Sequence, residues 1–219
     1  MRRGRVKGAS AGGVLPSAVR VGLGGIAGLA VVVVAALGVL YAGDGRPGAV
    51  DVRVWAVVGE VTPPWWDVAR GLDFLGEPVG AVLLVGAAVA GCLLLRWPRA
   101  ALFLAVGVGA AVVVARLLKF LVGRTIHGDN LSFPSGHTAF LTAFALVVAL
   151  LASGRLGLGR AAGLSLVLVT ALVAGVAMGW AQVVLGAHYP TDALGGWCTA
   201  LAVVPVVAWG VDRVGGAGR

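Results

Sequence analysis

The chain has 219 residues, of which 59% are hydrophobic and only 12% are charged. A soluble domain carries about twice that charged fraction, whereas this chain repeats apolar segments of about 20 residues, long enough to cross a bilayer. This composition excludes an ordinary soluble globular protein and indicates an integral membrane protein.

Six apolar segments predict an all-α fold, a bundle of six transmembrane helices with both termini in the cytoplasm. They form one membrane domain over residues 21–211, between a basic N-terminal segment at 1–20 and a tail at 212–219. The first span follows basic residues as in a signal peptide, but its long apolar run without a clear cleavage site predicts a retained span. The predicted spans are 21–43, 79–95, 100–122, 138–153, 163–186 and 191–211.

The placement of the charges predicts the topology. Eleven of the seventeen Lys and Arg residues lie in the N-terminal segment, in the loops after the second and fourth spans, or after the sixth span. The positive-inside rule makes that side cytoplasmic. Eight of the nine acidic residues lie on the other side. The net charge of +8 therefore reflects membrane topology and does not indicate nucleic-acid binding.

The first outer segment, residues 44–77, contains the stretch VTPPWWDVARGLDFLG. Its two tryptophans are combined with Val68, Leu72 and Leu75 at helical spacing, which predicts an amphipathic helix lying on the outer leaflet. Two roles remain open for it: an aromatic anchor that only sets depth, or a guide that leads a lipid toward a site.

The second outer segment, within 116–137, carries three cations on the acidic side of the membrane. Arg116 and Lys119 share one face near the end of the third span, and Arg124 follows. Cations are favourable at a helix C-terminus and can extend to the interface, which accounts for one of them. The cluster as a whole predicts an anionic ligand.

The fourth span begins with Ser135, Gly136 and His137, directly after Pro134. Ser135 could simply cap the helix, with His137 at a wet boundary. A helix start also offers free backbone N–H groups that can bind phosphate, and glycine lets the backbone approach a ligand closely. His137 would then stand beside the anion as a proton donor.

The third outer segment, within 180–192, contains GAHYPTD. Asp192 follows His188 by four residues, and Pro190 suits the first turn of the sixth span. The carboxylate can therefore accept a hydrogen bond from one ring nitrogen of His188, which leaves the other nitrogen free as a nucleophile or base.

These residues resemble the type 2 phosphatidic acid phosphatase family, whose site is related to that of vanadium haloperoxidases. The family pattern is K-x6-R-P, then P-S-G-H, then S-R-x5-H-x3-D. Lys119 matches the first part, residues 134–137 match the second, and His188 with Asp192 matches the third. The resemblance covers roughly residues 100–210, and the first two spans fit by topology only.

The resemblance implies an activity and a role for each matching residue. The activity is hydrolysis of a lipid phosphate or diphosphate on the outer face of the plasma membrane. His188 would attack phosphorus and form a phosphohistidine, Asp192 would orient it, and His137 would protonate the leaving oxygen. Lys119, the Ser135 hydroxyl and the Gly136 backbone would hold the phosphate oxygens.

The expected partner is a lipid phosphate that arrives from the outer leaflet; no protein partner is predicted. No metal and no other cofactor is expected, since the sequence shows no cluster of carboxylates or cysteines that could bind one. The Gly-, Ala-, Val- and Arg-rich composition suggests a bacterium, where lipid carriers of the cell envelope are candidates. Polyprenyl diphosphate, phosphatidylglycerol phosphate, phosphatidic acid and a polyprenyl-phospho-sugar phosphate all remain open.

The sequence departs from the family pattern at both arginines. Ile126 stands at the first arginine position, with His127 in place of the proline, and Gln182 stands at the second. Neither Ile nor Gln supplies a guanidinium group to phosphate. Lys119 and Arg124, with help from His127, could carry the remaining charge. Alternatively, the ligand carries less charge than a phosphomonoester dianion.

Two function classes therefore remain: an active phosphatase, or a non-catalytic protein that binds a lipid phosphate or scaffolds membrane partners. The absent arginines favour the second class, whereas the retained histidines and Asp192 favour the first. A transporter or channel would place ionisable residues deep inside spans, whereas these lie at span ends.

Overall fold

A computed structural model describes residues 13–59 and 61–217. The described chain folds into eight helices and one two-stranded hairpin, which confirms the all-α prediction. In chain order these elements are α1 Ser17–Leu40, α2 Ala49–Val58, α3 Trp65–Gly76, α4 Pro78–Leu94, α5 Pro98–Val122, β1 Thr125–Ile126, β2 Asn130–Leu131, α6 Gly136–Arg155, α7 Arg160–Val184 and α8 Pro190–Ala217.

Five of these helices, α1, α5, α6, α7 and α8, are long and apolar enough to cross a membrane. Helix α4 has 17 residues and meets α3 at a bend of 67°, so that the two together can be counted as a sixth span. The structure thus agrees with a multi-pass membrane protein of five or six spans.

Helix α6 lies at the centre of the bundle and packs against α5, α7 and α8. Its inward residues Ala143, Leu146, Val147 and Leu150 are completely buried. The outer helices expose large apolar side chains instead, as Phe120 does on α5. That distribution suits helices that have protein on one side and lipid on the other.

Small residues allow the helices to approach one another closely, as is usual in membrane bundles. Gly196 on α8 faces the Ser135 carbonyl and Thr138 at the start of α6, and Gly175 on α7 faces the ring of Trp197. A methyl group at either glycine would overlap these neighbours. The α6–α8 contact therefore brings the first turns of these two helices together.

The outer segment 44–77 forms two helices rather than the single one predicted. Gly59 ends α2, and Pro64 immediately precedes α3, because neither residue favours a helix interior. Trp65 is 59% exposed, as an interfacial helix requires, but Ala69 on the opposite face is fully buried. Helix α3 packs against α4, α6 and α7, so it covers one end of the bundle.

The basic loops lie at the end of the bundle opposite the one that α3 covers. The Asp212 carboxylate accepts hydrogen bonds from the backbone N–H groups of Val14 and Leu15 at 2.7 and 3.0 Å, which joins the start of α1 to the end of α8. The guanidinium of Arg155 lies 3.4 Å above the ring of Trp97. The predicted tail from residue 212 is helical as far as 217, and residues 1–12 and 218–219 lie outside the described residues.

Replacing Gly196 by alanine should separate α6 from α8. Because the added methyl group would overlap backbone atoms, Gly196→Ala should lower the free energy of unfolding by about 1–3 kcal/mol. Gly210→Ala is the matched control on the same helix, since nothing lies within 4 Å of a methyl group there. Unfolding of both variants in detergent by SDS titration measures the difference, and equal stabilities would contradict this packing.

Candidate active site

The residues singled out in the sequence converge at the end of the bundle that lies away from the basic loops. Lys119 comes from the last turn of α5, His137 from the first turn of α6, and His188 from the turn between α7 and α8. The backbone N–H of Ser135 donates to the Asp192 carbonyl oxygen at 2.9 Å, so the starts of α6 and α8 are linked directly.

His188 and Asp192 face each other across one turn. The distance from His188 Nδ1 to Asp192 Oδ2 is 3.7 Å, an ion-pair distance slightly longer than a hydrogen bond. The same carboxylate oxygen accepts the Tyr189 backbone N–H at 3.1 Å, which holds it in place. Burial of His188 lowers the pKa of its ring below the ordinary value of 6.5, although the bond to Asp192 opposes this effect. Burial therefore favours the neutral form of the His188 ring.

Arg124 is completely buried and holds two carboxylates. Its Nη1 donates to Asp192 Oδ1 at 2.6 Å and its Nη2 to Asp51 Oδ2 at 2.7 Å. Its guanidinium carbon lies 3.9 Å from the ring centre of Tyr41 and 4.2 Å from that of Tyr189. Arg124 therefore sits between two aromatic rings and two acids, inside the protein.

This position argues against the expectation that Arg124 binds phosphate directly, because its two terminal nitrogens already bind carboxylates. Asp51 on α2 is the acid that holds Arg124 inside the protein, away from a phosphate. Its other oxygen accepts both the backbone N–H and the hydroxyl of Thr191, at 2.9 and 2.8 Å. Nothing in the local sequence pattern linked Asp51 to Arg124, since the two residues lie in separate outer segments.

The other predicted phosphate-binding cations differ in their surroundings. Lys119 is half-buried, and its Nζ donates to the Leu131 carbonyl oxygen at 2.7 Å. Arg116 lies one turn earlier on α5 and is exposed. It is close enough for its positive charge to repel that of Lys119. His127 is exposed in the hairpin turn, where its Nε2–H donates to the Gly186 carbonyl oxygen at 2.8 Å. That bond attaches the hairpin to the α7–α8 turn.

The start of α6 combines a side-chain cap with open space. The Ser135 hydroxyl oxygen accepts the Thr138 backbone N–H at 3.3 Å, so this side chain caps the helix. A methyl group built on Gly136 would meet nothing within 4 Å. The Gly136 side of this helix start is therefore open, and an anion there would lie beside the positive end of the helix.

His137 has two neighbours that the sequence did not identify. Its Nε2 lies 3.4 Å from Asp73 Oδ1 on α3. The Gln182 side chain on α7 donates from Nε2 to the same oxygen at 2.6 Å. Gly76 covers one edge of the imidazole ring so closely that an alanine there would overlap it. Asp73 and Gln182 are distant in the chain from His137, and only the packing of α3 on the bundle brings them together.

Within the described residues, no group of three or more His, Cys, Asp or Glu side chains could hold a metal ion. The site therefore contains two imidazoles, each beside a carboxylate, together with Lys119 and an open helix start.

Removing the Arg124 charge should destabilise the fold, because Asp51 and Asp192 would be left buried without their partner. We expect Arg124→Met to lower the free energy of unfolding by about 3–5 kcal/mol. Adding Asp51→Asn to that variant should recover part of the loss, since one buried charge is then removed as well. Arg116→Met, at an exposed position on α5, is the control. Thermal unfolding in detergent compares the variants. An Arg124→Met protein as stable as the unmodified one would show that Arg124 is not the buried partner of Asp51 and Asp192.

Comparison with known proteins identifies the family. The PAP2 superfamily model matches residues 100–215, more than half of the chain. The decaprenylphosphoryl-5-phosphoribose phosphatase of Mycobacterium tuberculosis, from strains CDC 1551 / Oshkosh and H37Rv, is 35% identical over an alignment of 162 residues, which covers 68% of this chain and 79% of the relative.

The fold also matches a solved structure. The crystal structure of a transmembrane PAP2-type phosphatidylglycerolphosphate phosphatase from Bacillus subtilis superposes with a TM-score of 0.63 at 22% identity, over 89% of this chain and 96% of the other. The resemblance inferred from the motifs is thereby confirmed: this chain is a phosphatase-type member of the PAP2 superfamily.

Proposed function

We propose that this protein hydrolyses a lipid phosphate or diphosphate at the outer face of the membrane, through a phosphohistidine intermediate. One observation carries the proposal: His188 and His137 meet at one end of the bundle, each beside its own carboxylate, at 3.7 and 3.4 Å. A protein that only binds phosphate has no need for a neutral, oriented imidazole next to a second one.

The first step transfers the phosphoryl group to His188. Asp192 holds the Nδ1–H side of the ring, so the Nε2 lone pair attacks phosphorus. The new N–P bond forms as the bond from phosphorus to the ester or bridging oxygen breaks. Protonated His137 gives its proton to that leaving oxygen and becomes neutral.

The second step releases phosphate. Neutral His137 takes a proton from water while the water oxygen attacks phosphorus. The N–P bond then breaks, and His188 recovers its lone pair on Nε2. Both imidazoles return to their starting protonation states, so the cycle needs no metal ion and no cofactor.

The phosphate oxygens bind at the start of α6. In this scheme the anion occupies the open space beside Gly136, where the N-terminal backbone N–H groups of the helix bind it. Lys119 is close enough to both histidines to add a positive charge. The Ser135 side chain contributes indirectly in this scheme, because it caps the helix whose backbone binds the anion. Arg116 lies at the exposed edge, where it attracts the head group.

The outer location rests on the distribution of charge. Arg96 lies in the connection before α5, Arg99 lies in the first turn of α5, and Arg155 and Arg160 end α6 and begin α7. All four are at the end of the bundle opposite the two histidines. The positive-inside rule places that end in the cytoplasm. Counting α3 and α4 as one broken span gives six crossings, which supports a topology with both termini in the cytoplasm and the active site facing outward from a plasma membrane.

The relatives favour a lipid whose phosphate is distant from its hydrocarbon chain. The Mycobacterium tuberculosis relative is named for a phosphate on a ribose that is attached to a decaprenyl phosphate. Among the lipids compatible with the sequence, a polyprenyl-phospho-sugar phosphate is therefore our preferred substrate.

Phosphate release by the purified protein tests this function. A panel of polyprenyl diphosphate, polyprenyl-phospho-ribose phosphate, phosphatidylglycerol phosphate and phosphatidic acid is incubated with the protein in detergent and EDTA. We expect metal-independent release that His188→Ala reduces by at least about 10³-fold, since the nucleophile is lost. Arg160→Gln, at the opposite end of the bundle, is the control. Folded protein without activity on any substrate would favour a non-catalytic lipid-phosphate binder or scaffold.

The pH dependence should report the buried state of His188. Protonation of this ring removes its lone pair, and burial holds its pKa below 6.5. The acid limb of the profile of kcat/KM should therefore lie below pH 6.5, with full nucleophile function above that value. An acid limb at or above pH 6.5 would be inconsistent with a desolvated His188.

A further inference from the structure

The two imidazoles each face a carboxylate, but the two carboxylates are compensated differently. Asp192, beside His188, receives a short hydrogen bond from the Arg124 guanidinium at 2.6 Å. Much of its negative charge is thus offset by a buried cation. Asp192 orients His188, and the Arg124 guanidinium weakens the electrostatic stabilisation that this carboxylate gives to a positive charge on the His188 ring.

Asp73, beside His137, is held by a neutral group instead. The Gln182 amide donates to Asp73 Oδ1 at 2.6 Å and brings no charge. Among the described residues, the ion pair formed by Asp73 is with His137 and not with an Arg or Lys. The Asp73 side chain is 26% exposed, so its charge is only partly screened by solvent.

We propose that Asp73 is the positioning carboxylate of His137 and favours the protonated form of that ring, which serves as the acid. We further infer that glutamine at position 182, where the family pattern has arginine, leaves the charge of Asp73 uncompensated. This inference rests on the proposed function. It assigns the two histidines carboxylates with different compensation, because Arg124 offsets the charge of Asp192 whereas Gln182 does not offset that of Asp73.

The proton has a defined route in this arrangement. In the protonated ring, the Nε2–H of His137 faces Asp73, so Nδ1–H is the group that protonates the leaving oxygen. After that transfer the ring is neutral, and Nδ1 accepts a proton from the attacking water. Asp73 keeps its charge throughout, as an orienting carboxylate does beside a catalytic histidine.

Charged groups face His137 from three directions. Partial burial of the ring opposes a positive charge on His137, as do Lys119 from α5 and His188 from the α7–α8 turn, whereas Asp73 and Glu77, at the end of α3 and the start of α4, favour it. Asp73 is the acid that lies within 4 Å of the ring. Because Gly76 packs against the same ring, helix α3 fixes the position of the imidazole as well as that of the acid.

Histidine-selective NMR measures the proposed effect without reference to activity. The chain contains three histidines, so 15N-histidine-labelled full-length protein in lipid nanodiscs gives three ring signals, assigned by substitution. We expect Asp73→Asn to lower the titration midpoint of His137 by roughly 1 pH unit, because a neighbouring negative charge is removed. The His188 midpoint should remain unchanged. Asn retains a carbonyl oxygen that can accept the Gln182 hydrogen bond.

Two substitutions at position 182 distinguish the effect of the Asp73 charge from the effect of the hydrogen bond that positions Asp73. Gln182→Arg should lower the His137 midpoint as Asp73→Asn does, because the arginine would neutralise Asp73. Gln182→Leu removes the hydrogen bond but leaves the Asp73 charge, so the midpoint should stay closer to that of the unmodified protein. Asp67→Asn, exposed on the first turn of the same helix α3, is the control and should change nothing.

The pH profile of phosphate release connects this pairing to catalysis. The alkaline limb, which reports loss of the proton from the acid, should move to lower pH in Asp73→Asn and Gln182→Arg but not in Asp67→Asn. An unchanged His137 midpoint in both Asp73→Asn and Gln182→Arg would overturn the pairing. A shifted midpoint in a protein that releases no phosphate would instead overturn the proposed function, and with it the assignment of His137 as an acid.

Discussion

The buried charge of Arg124 is the constraint on which the end of the bundle that carries His137 and His188 depends. An isolated guanidinium cannot remain in a protein interior without partners, because the loss of hydration costs several kcal/mol. Here Asp51 and Asp192 provide the opposite charges, and Tyr41 and Tyr189 cover the two faces of the guanidinium. These contacts join α1, α2, α8 and the loop after α5, so that satisfying one buried cation also places Asp192 beside His188.

The same principle accounts for the different environments of the two histidines. Both rings lie at helix termini near an acid, and their local sequences alone would give them similar properties. What differs is the next layer of contacts. A cation lies behind the carboxylate next to His188, whereas a neutral amide lies behind the one next to His137. The two rings therefore differ in the charge left on the neighbouring carboxylate.

Several elements could be predicted from the sequence because their signals are local. Hydropathy located the membrane helices within a few residues, and the placement of Lys and Arg indicated which helix ends lie together. The motifs around His137 and His188 were recognisable because each residue stands within four positions of its helix start or its acid. The role of Arg124 was not predictable in this way, because its partner Asp51 lies in a segment whose sequence indicated only an interfacial loop.

The sequence by itself thus determined the membrane character, the helical class and the ends of the helices that carry the reactive groups, because these follow from composition and short-range spacing. The tertiary structure alone decided which charges compensate one another. Helix α3 brings Asp73 to His137, and α2 brings Asp51 to Arg124, through contacts between segments far apart in the chain. Electrostatic effects depend on distance in space and on burial, and neither quantity can be read from sequence separation.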